Sequence, residues 1–377
     1  MSLHNNKRNQ KLNTSFLEID LRLIQKNFCT LNKYVGKSIC AATVKANAYG
    51  LGLDLISKSL YECGCKCFFV SDLDEGISLR KNIPDQNITI YVLNGLTPNS
   101  FKEYKNHNLQ PVIGCHEELN ELIENGIMSS NYPIAIHFDT GFSRLGWDCS
   151  KARDLSDQQI KPSLVMSHLA CADNLESNMP EKQLKKFMNV VPYFKNTKYS
   201  IANTAGISRN KQFHLDMVRP GIGLYGGYST KYIDVDLHQT IKLYAPVIQT
   251  KLIKKGATIG YEASYTAKNN TNIALVSIGY ADGILRTLGS TNDRMGGCFY
   301  YNDSPLKILG KVSMDIVAID ISNIKDKYIS RGDFVEIIGP NQNIDQLSKN
   351  ADTISYELIT RLNPRIKKIY KYADNPK

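Results

Sequence analysis

The sequence predicts an α/β protein in which an amino-terminal (β/α)8 barrel of the TIM type precedes a mainly antiparallel β domain. Eight short apolar runs alternate with helix-like segments between about residues 39 and 223, which is typical of parallel strands with helices outside them. Beyond about residue 243, apolar runs are separated by Gly, Asn and Asp turns, which favours antiparallel strands. No G-x-G-x-x-G motif follows an early strand, so an open doubly wound sheet is the weaker alternative.

The length of 377 residues allows two domains. Residues 1–12 are polar and basic and lack the apolar stretch of a secretory signal, so we expect a disordered leader there. Residues 13–20 contain an apolar segment, Ser15–Ile19, which we expect to be a strand of the carboxy-terminal domain. The barrel is predicted over residues 21–242 and the β domain over residues 243–377.

The positions of the apolar runs predict the individual strands and helices along the chain. The predicted barrel strands are Ile39–Val44, Cys67–Val70, Ile88–Leu93, Gln110–Ile113, Ile134–Asp139, Leu164–His168, Tyr199–Ala202 and Met217–Gly223. Amphipathic stretches between them predict helices at Asp72–Asn82, Glu117–Asn125 and Glu181–Phe194. The β domain has predicted strands at Pro246–Leu252, Asn272–Ile278, Cys298–Tyr301, Leu306–Leu309, Ile316–Ile321 and Phe334–Ile338, and predicted helices at Asn343–Asn350 and Thr353–Leu362.

Composition excludes several classes of function. No run of 18 or more apolar residues is present, so no membrane span is expected. The net charge is +10, but the lysines are scattered, which does not favour nucleic-acid binding. Cys63, Cys65 and Cys67 form a C-x-C-x-C motif without a nearby Cys or His pair to complete four metal ligands. Reduced thiols in a cytoplasmic protein are therefore the expected interpretation.

Lys45 closes the first predicted barrel strand and is followed by Ala46-Asn47-Ala48-Tyr49-Gly50. A lysine at the end of a core strand is a candidate for a desolvated amine that forms a Schiff base with a carbonyl, as pyridoxal phosphate enzymes require. The alternative is an ordinary lysine whose ammonium group reaches water. This segment alone leaves both interpretations open.

Polar residues follow the later barrel strands, where such a fold places its active site. His137 and Asp139 lie at the end of the fifth strand, and His168 lies at the end of the sixth. Asn203 and Thr204 follow the seventh strand, and Arg219 lies in the eighth. Asn203, Thr204 and the amides of Gly221 and Ile222 are suited to binding a phosphate. Arg219 is the discriminating residue, because a guanidinium that faces a pyridine nitrogen keeps that nitrogen unprotonated. Each residue alone also fits a plain structural role.

Tyr265, in the segment Tyr261–Ala267 of the β domain, is a candidate base. Its pKa would have to fall from about 10, and the cations Arg144, His168 and Arg219 could lower it. With 21 tyrosines in the chain, the pattern alone favours an ordinary hairpin tyrosine.

Together these segments resemble the alanine racemase family, which are fold-type III pyridoxal phosphate enzymes. The matching segments are Leu17–Asp20, Val44–Gly50, Asp139–Gly146, Ser167-His168, Asn203–Ala205, Val218–Gly226, Tyr261–Ala267, Ile278–Gly283, Ser313–Asp315 and Ser355–Glu357. The ordered set is specific, although no single segment is.

The resemblance implies a cytoplasmic homodimer that interconverts L- and D-alanine for cell-wall precursors, with pyridoxal 5'-phosphate bound to Lys45. Lys45 and Tyr265 would be bases on opposite faces of the α-carbon, with Tyr265 supplied by the partner subunit. Residues around the phosphate would be Tyr49, Asn203, Thr204, Gly221, Ile222 and Tyr356. Arg219 would face the pyridine nitrogen and His168 would link it to Tyr265. Arg144 would bind near the ring hydroxyl and the substrate carboxylate, and the amide of Met314, also from the partner, would hold that carboxylate.

Three positions depart from the family pattern. His137 stands where many members have a carbamylated lysine that orients the arginine matched by Arg144, so we expect another group, a water or an anion to hold Arg144. Ile284 replaces a tyrosine of the entrance, and Leu51 replaces a histidine that often follows the lysine. All three departures leave the catalytic groups in place, and those at His137 and Ile284 affect the expected substrate range.

Three other functions compete with this interpretation. A diamino-acid decarboxylase of the same architecture would place a carboxylate where Arg219 stands and a cysteine near the carboxyl terminus, but none follows Cys298. A non-catalytic pyridoxal phosphate carrier would lack the second domain with Tyr265. A serine or broad-specificity racemase is the nearest alternative, because it differs mainly in the shape of its pocket.

Overall fold

The structure is a computed structural model that describes residues 14–127, 132–158, 160–227, 235–324 and 328–372. The described residues of Leu23–His238 form one compact unit, and those of Met1–Arg22 and Gln239–Lys377 form the other. The leader predicted over residues 1–12 lies outside the described residues.

The first unit is a barrel of parallel strands. Its strands are β2 (Ile39–Cys40), β3 (Ala42–Thr43), β4 (Cys67–Val70), β5 (Thr89–Val92), β6 (Gln110–Ile113), β7 (Ala135–Asp139), β9 (Leu164–Met166), β10 (Lys198–Asn203) and β11 (Met217–Arg219), with the short β8 (Trp147–Asp148) beside β7. β2 pairs with β11, and β3, two residues further along the chain, pairs with β4. One chain segment therefore joins both ends of the sheet, and the predicted fold class is confirmed.

Side chains from successive strands fill the barrel. One buried cluster takes a residue from nearly every strand and comprises Ala41, Cys67, Phe69, Tyr91, Val112, Ala135, Leu164, Met166 and Met217. Such layers make the barrel interior a packed core. The first helix, α1 (Leu21–Val35), begins two residues before the start of this unit at Leu23. The other helices of the unit are α2 (Lys45–Tyr49), α3 (Leu53–Glu62), α4 (Leu73–Asn82), α5 (Phe101–Asn106), α6 (His116–Glu124), α7 (Ala152–Asp157), α8 (Met179–Met188) and α9 (Thr204–Arg209).

The second unit is a β domain organised around the 13-residue strand β12 (Ile241–Ile253). It pairs antiparallel with β1 (Phe16–Asp20), β15 (Thr271–Val276) and β19 (Phe334–Ile338). The amino-terminal strand is thus part of this sheet, and Phe16 stacks on Tyr244 with ring centroids 5.4 Å apart. The other elements are β13 (Thr258–Ile259), β14 (Tyr265–Thr266), β16 (Cys298–Tyr301), β17 (Ser304–Lys307), β18 (Val317–Asp320), β20 (Lys367–Lys371), α10 (Ile344–Asn350) and α11 (Ser355–Thr360).

Several element boundaries differ from the sequence prediction. The strand predicted as Met217–Gly223 ends at Arg219, because Pro220 has no N–H for a sheet ladder. The strand predicted to reach His168 ends at Met166. The helix predicted to Phe194 ends at Met188, and a separate 3-10 turn, Val191–Tyr193, follows around Pro192. Strand β20, which pairs parallel with β1, was not predicted.

The cysteines are free thiols in the part of the chain that the structure describes. Burial raises the pKa of Cys63 and of Cys65 to about 12, so both stay protonated at neutral pH. No group of three or more His, Cys, Asp or Glu among the described residues is arranged to hold a metal ion. None of the described helices combines the length and apolar character needed to cross a bilayer.

Candidate active site at the carboxyl ends of the barrel strands

The predicted site residues of the first unit follow the carboxyl ends of its strands. Because the strands are parallel, these ends meet at one face of the barrel. Lys45 follows β3, Arg144 lies in the loop after β7, His168 follows β9, Asn203 ends β10 and Arg219 ends β11. This face is where the structure brings the predicted groups together.

The segment after Lys45 forms a left-handed turn. Ala46, Asn47, Ala48 and Tyr49 have φ values of 53°, 55°, 51° and 57°, a conformation that costs about 1–2 kcal/mol for each residue other than glycine. Backbone hydrogen bonds close the turn, including Ala48 N–H to the Val44 carbonyl at 2.8 Å and Gly50 N–H to the Ala46 carbonyl at 2.7 Å. Strained segments of this kind persist where surrounding contacts hold them, often at functional sites.

Lys45 is half-buried. Its amine makes no hydrogen bond or ion pair with any of the residues that the structure describes. Burial, and then the positive charge of Arg144, lowers the pKa of the amine, while the carboxylate of Glu75 opposes this effect. A larger share of neutral amine follows, and a neutral amine is the form that attacks a carbonyl carbon.

Arg219 is 5% exposed, and its guanidinium N–H groups donate to neutral acceptors. Its guanidinium donates to the Ser167 carbonyl at 2.7 Å, to the Ser200 hydroxyl, and lies 3.5 Å from Nδ1 of His168. Burial lowers the pKa of Arg219 to about 9, so the group stays charged at neutral pH. A buried cation with no carboxylate partner among the described residues therefore lies beside His168.

His137 and His168 are neutral in this surrounding, so the expectation that His168 is one of the cations of the site was wrong. Burial, followed by the charges of Arg219 and Arg144, lowers the pKa of His137 to about 4 and that of His168 well below its usual value. His137 is 7% exposed, and its ring makes no hydrogen bond within the described residues. A neutral imidazole at this position adds no charge to a site that already holds two arginines.

Arg144 stands in an exposed loop whose turn is fixed by Asp139. The Asp139 carboxylate accepts the N–H groups of Gly141 and Phe142, both at 2.8 Å. The Arg144 guanidinium lies 4.1 Å from the ring centroid of Phe142, in the range of a cation–π interaction. Phe142 also lies 5.6 Å from the His168 ring, so this aromatic ring links the two groups.

Several polar groups lie close together around the start of the turn that follows β11. The Thr204 hydroxyl accepts N–H groups from Gly221 at 3.1 Å and Gly223 at 3.3 Å. A Cβ at Gly221 would overlap the hydroxyl of Tyr49, so only glycine lets these groups approach. Ile222 is fully buried, and its backbone N–H has no acceptor among the described residues. An unpaired N–H beside a threonine and a tyrosine hydroxyl is suited to an anionic oxygen.

The remaining predicted residues lie in the β domain. Tyr265 is half-buried on β14, in register with Ile259 of β13. Met314 is 50% exposed, and its carbonyl accepts the Ala281 N–H at 3.0 Å. Tyr356 is half-buried on α11.

Sequence reasoning missed the residues that hold the predicted ones. Ser167 and Ser200 bind Arg219, and Gln183 on α8 is fully buried and binds the His168 carbonyl at 2.9 Å. Glu75 on α4 accepts the Asn47 N–H of the lysine turn at 2.7 Å. The available signals were a polar Gln on the buried face of an amphipathic helix and a glutamate in a helical first turn.

Comparisons with known proteins show which family the chain belongs to. Residues 19–229 match the family model described as alanine racemase, N-terminal domain, and residues 240–370 match that described as alanine racemase, C-terminal domain. The chain belongs to the alanine racemase family. The resemblance inferred from the ordered motifs is therefore confirmed.

Individual members of the alanine racemase family align along nearly the whole chain. A protein of Agrobacterium fabrum named as a biosynthetic alanine racemase is 34% identical over 370 residues, covering 95% of this chain and 94% of that protein. The catabolic alanine racemase of the same organism is 35% identical, covering 94% and 91%. The crystal structure of alanine racemase from Bartonella henselae with covalently bound pyridoxal phosphate has a TM-score of 0.88 at 34% identity, covering 95% of this chain and 99% of that one.

Proposed function

We propose that this chain is a pyridoxal 5'-phosphate-dependent alanine racemase that interconverts L-alanine and D-alanine. The observation that carries the proposal is the Lys45 amine, which is half-buried, without a hydrogen-bond partner among the described residues, and lowered in pKa at the carboxyl face of the barrel. The Bartonella henselae alanine racemase, whose crystal structure holds covalently bound pyridoxal phosphate, supports the same cofactor here.

The described residues fit this cofactor. A lysine amine without a competing partner is what a cofactor aldehyde needs, and the unpaired N–H of Ile222 beside Thr204 suits a phosphate oxygen. Lys45 would therefore hold the cofactor covalently. Its phosphate would be held by Tyr49, Asn203, Thr204, Gly221, Ile222 and Tyr356. Arg219 would face the pyridine nitrogen, with His168 beside it.

The bound cofactor supplies an electron-withdrawing ring that stabilises negative charge at the substrate α-carbon. Once the substrate amino group has replaced Lys45 on the cofactor, the freed Lys45 Nζ would take or return a proton at one face of that carbon, and the Tyr265 hydroxyl would do so at the other face. Two proton-transfer groups on opposite faces are what inversion requires. Arg219 stays protonated, so it limits withdrawal of charge into the ring and favours prompt return of the proton.

Arg144 and the Met314 amide would bind the substrate carboxylate, and Arg144 would also lie near the ring hydroxyl of the cofactor. His137, neutral in the folded chain, brings no charge that competes with this carboxylate. The Phe142 ring under Arg144 orients the guanidinium.

We further propose that the enzyme is a cytoplasmic homodimer in which Tyr265 and Met314 of each copy complete the site of the other copy. The 50% exposure of Met314 supports this arrangement, because a large apolar side chain at a binding site is usually covered in the assembly. D-alanine made in this way would supply cell-wall precursors.

A substrate panel in deuterated water tests the proposed function. Alanine, serine, lysine and ornithine are each incubated with the holoenzyme, and α-deuterium incorporation and enantiomer ratio are followed. We expect fastest exchange with inversion for alanine. Preference for serine would support a broad-specificity racemase, and decarboxylation without inversion would overturn the proposal.

A further inference from the structure

The left-handed turn after Lys45 needs an external anchor. Ala46, Asn47, Ala48 and Tyr49 all have positive φ values, and none is a glycine that would adopt them freely. Within the segment, hydrogen bonds from Gly52 N–H to the Asn47 carbonyl at 2.9 Å and from Leu53 N–H to the Asn47 side chain at 2.8 Å help to close the loop. These contacts all centre on Asn47.

Glu75 supplies a contact to the same residue from a different part of the chain. One oxygen of its carboxylate accepts the backbone N–H of Asn47 at 2.7 Å, and the other accepts the N–H of Ser71 at 2.8 Å. Glu75 lies in the first turn of α4, where its own N–H donates to the Asp72 carboxylate at 3.0 Å. The carboxylate therefore ties the lysine turn to the loop between β4 and α4.

We propose that Glu75 is a positioning residue whose carboxylate fixes the backbone turn from which Lys45 extends. The proposal rests on the proposed function for the role of the Lys45 amine. Charged hydrogen bonds to two amides are stronger than neutral ones, which suits the strained turn. Around Lys45, Arg144 and the neutral His168 add no negative charge, while Glu75 does.

Glu118 offers a matched control in the same barrel. It lies in the first turn of α6, and its carboxylate accepts N–H groups of Gly114 at 2.6 Å, Cys115 at 3.3 Å and Leu96 at 3.0 Å. It thus ties two neighbouring loops together as Glu75 does, but none of its hydrogen bonds to the described residues goes to the lysine turn. A change at Glu118 reproduces the structural cost without the contact to Asn47.

The experiment compares wild type, E75Q and E118Q. A carboxamide has one acceptor oxygen, so the Gln at position 75 can accept from only one of the two amides. Hydrogen exchange of the segment 44–53 is measured in the cofactor-free protein, and the rate at which added pyridoxal phosphate becomes trapped on Lys45 by borohydride is measured by mass spectrometry. We expect E75Q to speed the exchange and slow the trapping, each by about tenfold or more. E118Q should leave both unchanged.

Unchanged exchange and trapping in E75Q, or equal effects in E118Q, would overturn the proposal. If E75Q does not fold, E75D is measured in the same way. Its shorter stem cannot reach both amides, so exchange at wild-type rates would count against the proposal. A wild-type protein that fails to racemise alanine, while E75Q still loosens the turn, would contradict the proposed function and leave the role of Glu75 standing.

Discussion

His137 shows how one buried side chain makes stability depend on pH. Its pKa is lowered to about 4 by burial and by Arg219 and Arg144, against the opposing charge of Asp139, with His168 also nearby. An unfolded histidine has a pKa near 6.5. As the pH falls, the unfolded state therefore binds a proton first, and the free energy of unfolding decreases between about pH 6.5 and 4.

We expect H137N to flatten this pH dependence. In the wild type, protonation of this histidine lowers the free energy of unfolding by roughly 3 kcal/mol between about pH 6.5 and 4, because each unit of pKa difference corresponds to about 1.4 kcal/mol. H137N should lack this decrease. Denaturant unfolding from pH 7 to pH 4 measures the slope. An unchanged slope in H137N would contradict the assigned protonation state.

The proposed role of Tyr265 as a base also makes a prediction at the level of a single residue. If it serves one face of the α-carbon and Lys45 the other, Y265F should slow proton abstraction from one alanine enantiomer about 100-fold more than from the other. Primary deuterium isotope effects measured in both directions report this. Y261F, at an exposed tyrosine of the same segment, should behave like wild type. Equal and small losses in both directions would argue against two bases.

Residue-level prediction from sequence succeeded where chemistry marked the residue. A lysine at a strand end, and an arginine followed by Pro220 and Gly221, are visible in the sequence. The left-handed turn was not, because Ala46, Asn47 and Ala48 carry no glycine signal for a positive φ. Ser167 and Ser200 were missed because neither a backbone carbonyl just beyond a strand nor a serine hydroxyl within one indicates which guanidinium it will bind.

At the level of elements, helix α8 supports the site through one polar residue. Gln183 is fully buried, accepts the Ala170 N–H at 2.9 Å, and donates to the His168 carbonyl at 2.9 Å and the Thr140 hydroxyl at 3.2 Å. Thr140 in turn lies 2.8 Å from the Ser167 hydroxyl. The helix thereby holds the segment that carries both Ser167 and His168.

Q183L should destabilise the protein by about 2 kcal/mol or more, because leucine leaves buried polar groups unpaired. It should also weaken cofactor binding, because Ser167 and His168 lose their support. Urea unfolding of the cofactor-free protein and titration with pyridoxal phosphate measure the two effects. K185L, on the exposed side of the same helix, is the control. Unchanged stability in Q183L would show that the other contacts hold the segment alone.

Element types followed from apolar patterning, and boundaries depended on single residues. Pro220 and Pro192 explain two early endings. Strand β20 was not predicted because its sequence, Lys-Lys-Ile-Tyr-Lys, is short and shows only weak alternation of apolar and polar residues. Its pairing with β1 joins two distant parts of the chain, and such pairing depends on tertiary context that local sequence does not contain.

For the whole molecule, the proposal of shared sites makes a prediction about mixed dimers. K45A and Y265A chains should each be nearly inactive alone. In a mixed dimer, one site would carry both substitutions and the other neither. Equal mixing after unfolding and refolding should then restore about a quarter of wild-type activity. If each site were built from one chain, mixing would restore nothing.

The amine of Lys45 as the covalent attachment point of the cofactor is the central claim, and it has a direct measurement. The protein is loaded with pyridoxal 5'-phosphate, reduced with borohydride, digested and mapped by mass spectrometry. The account predicts a reduced pyridoxyl group on Lys45 in the wild type, and none on residue 45 in K45A. Attachment to a different lysine in an active wild-type enzyme, or racemisation with no reducible adduct at all, would contradict it.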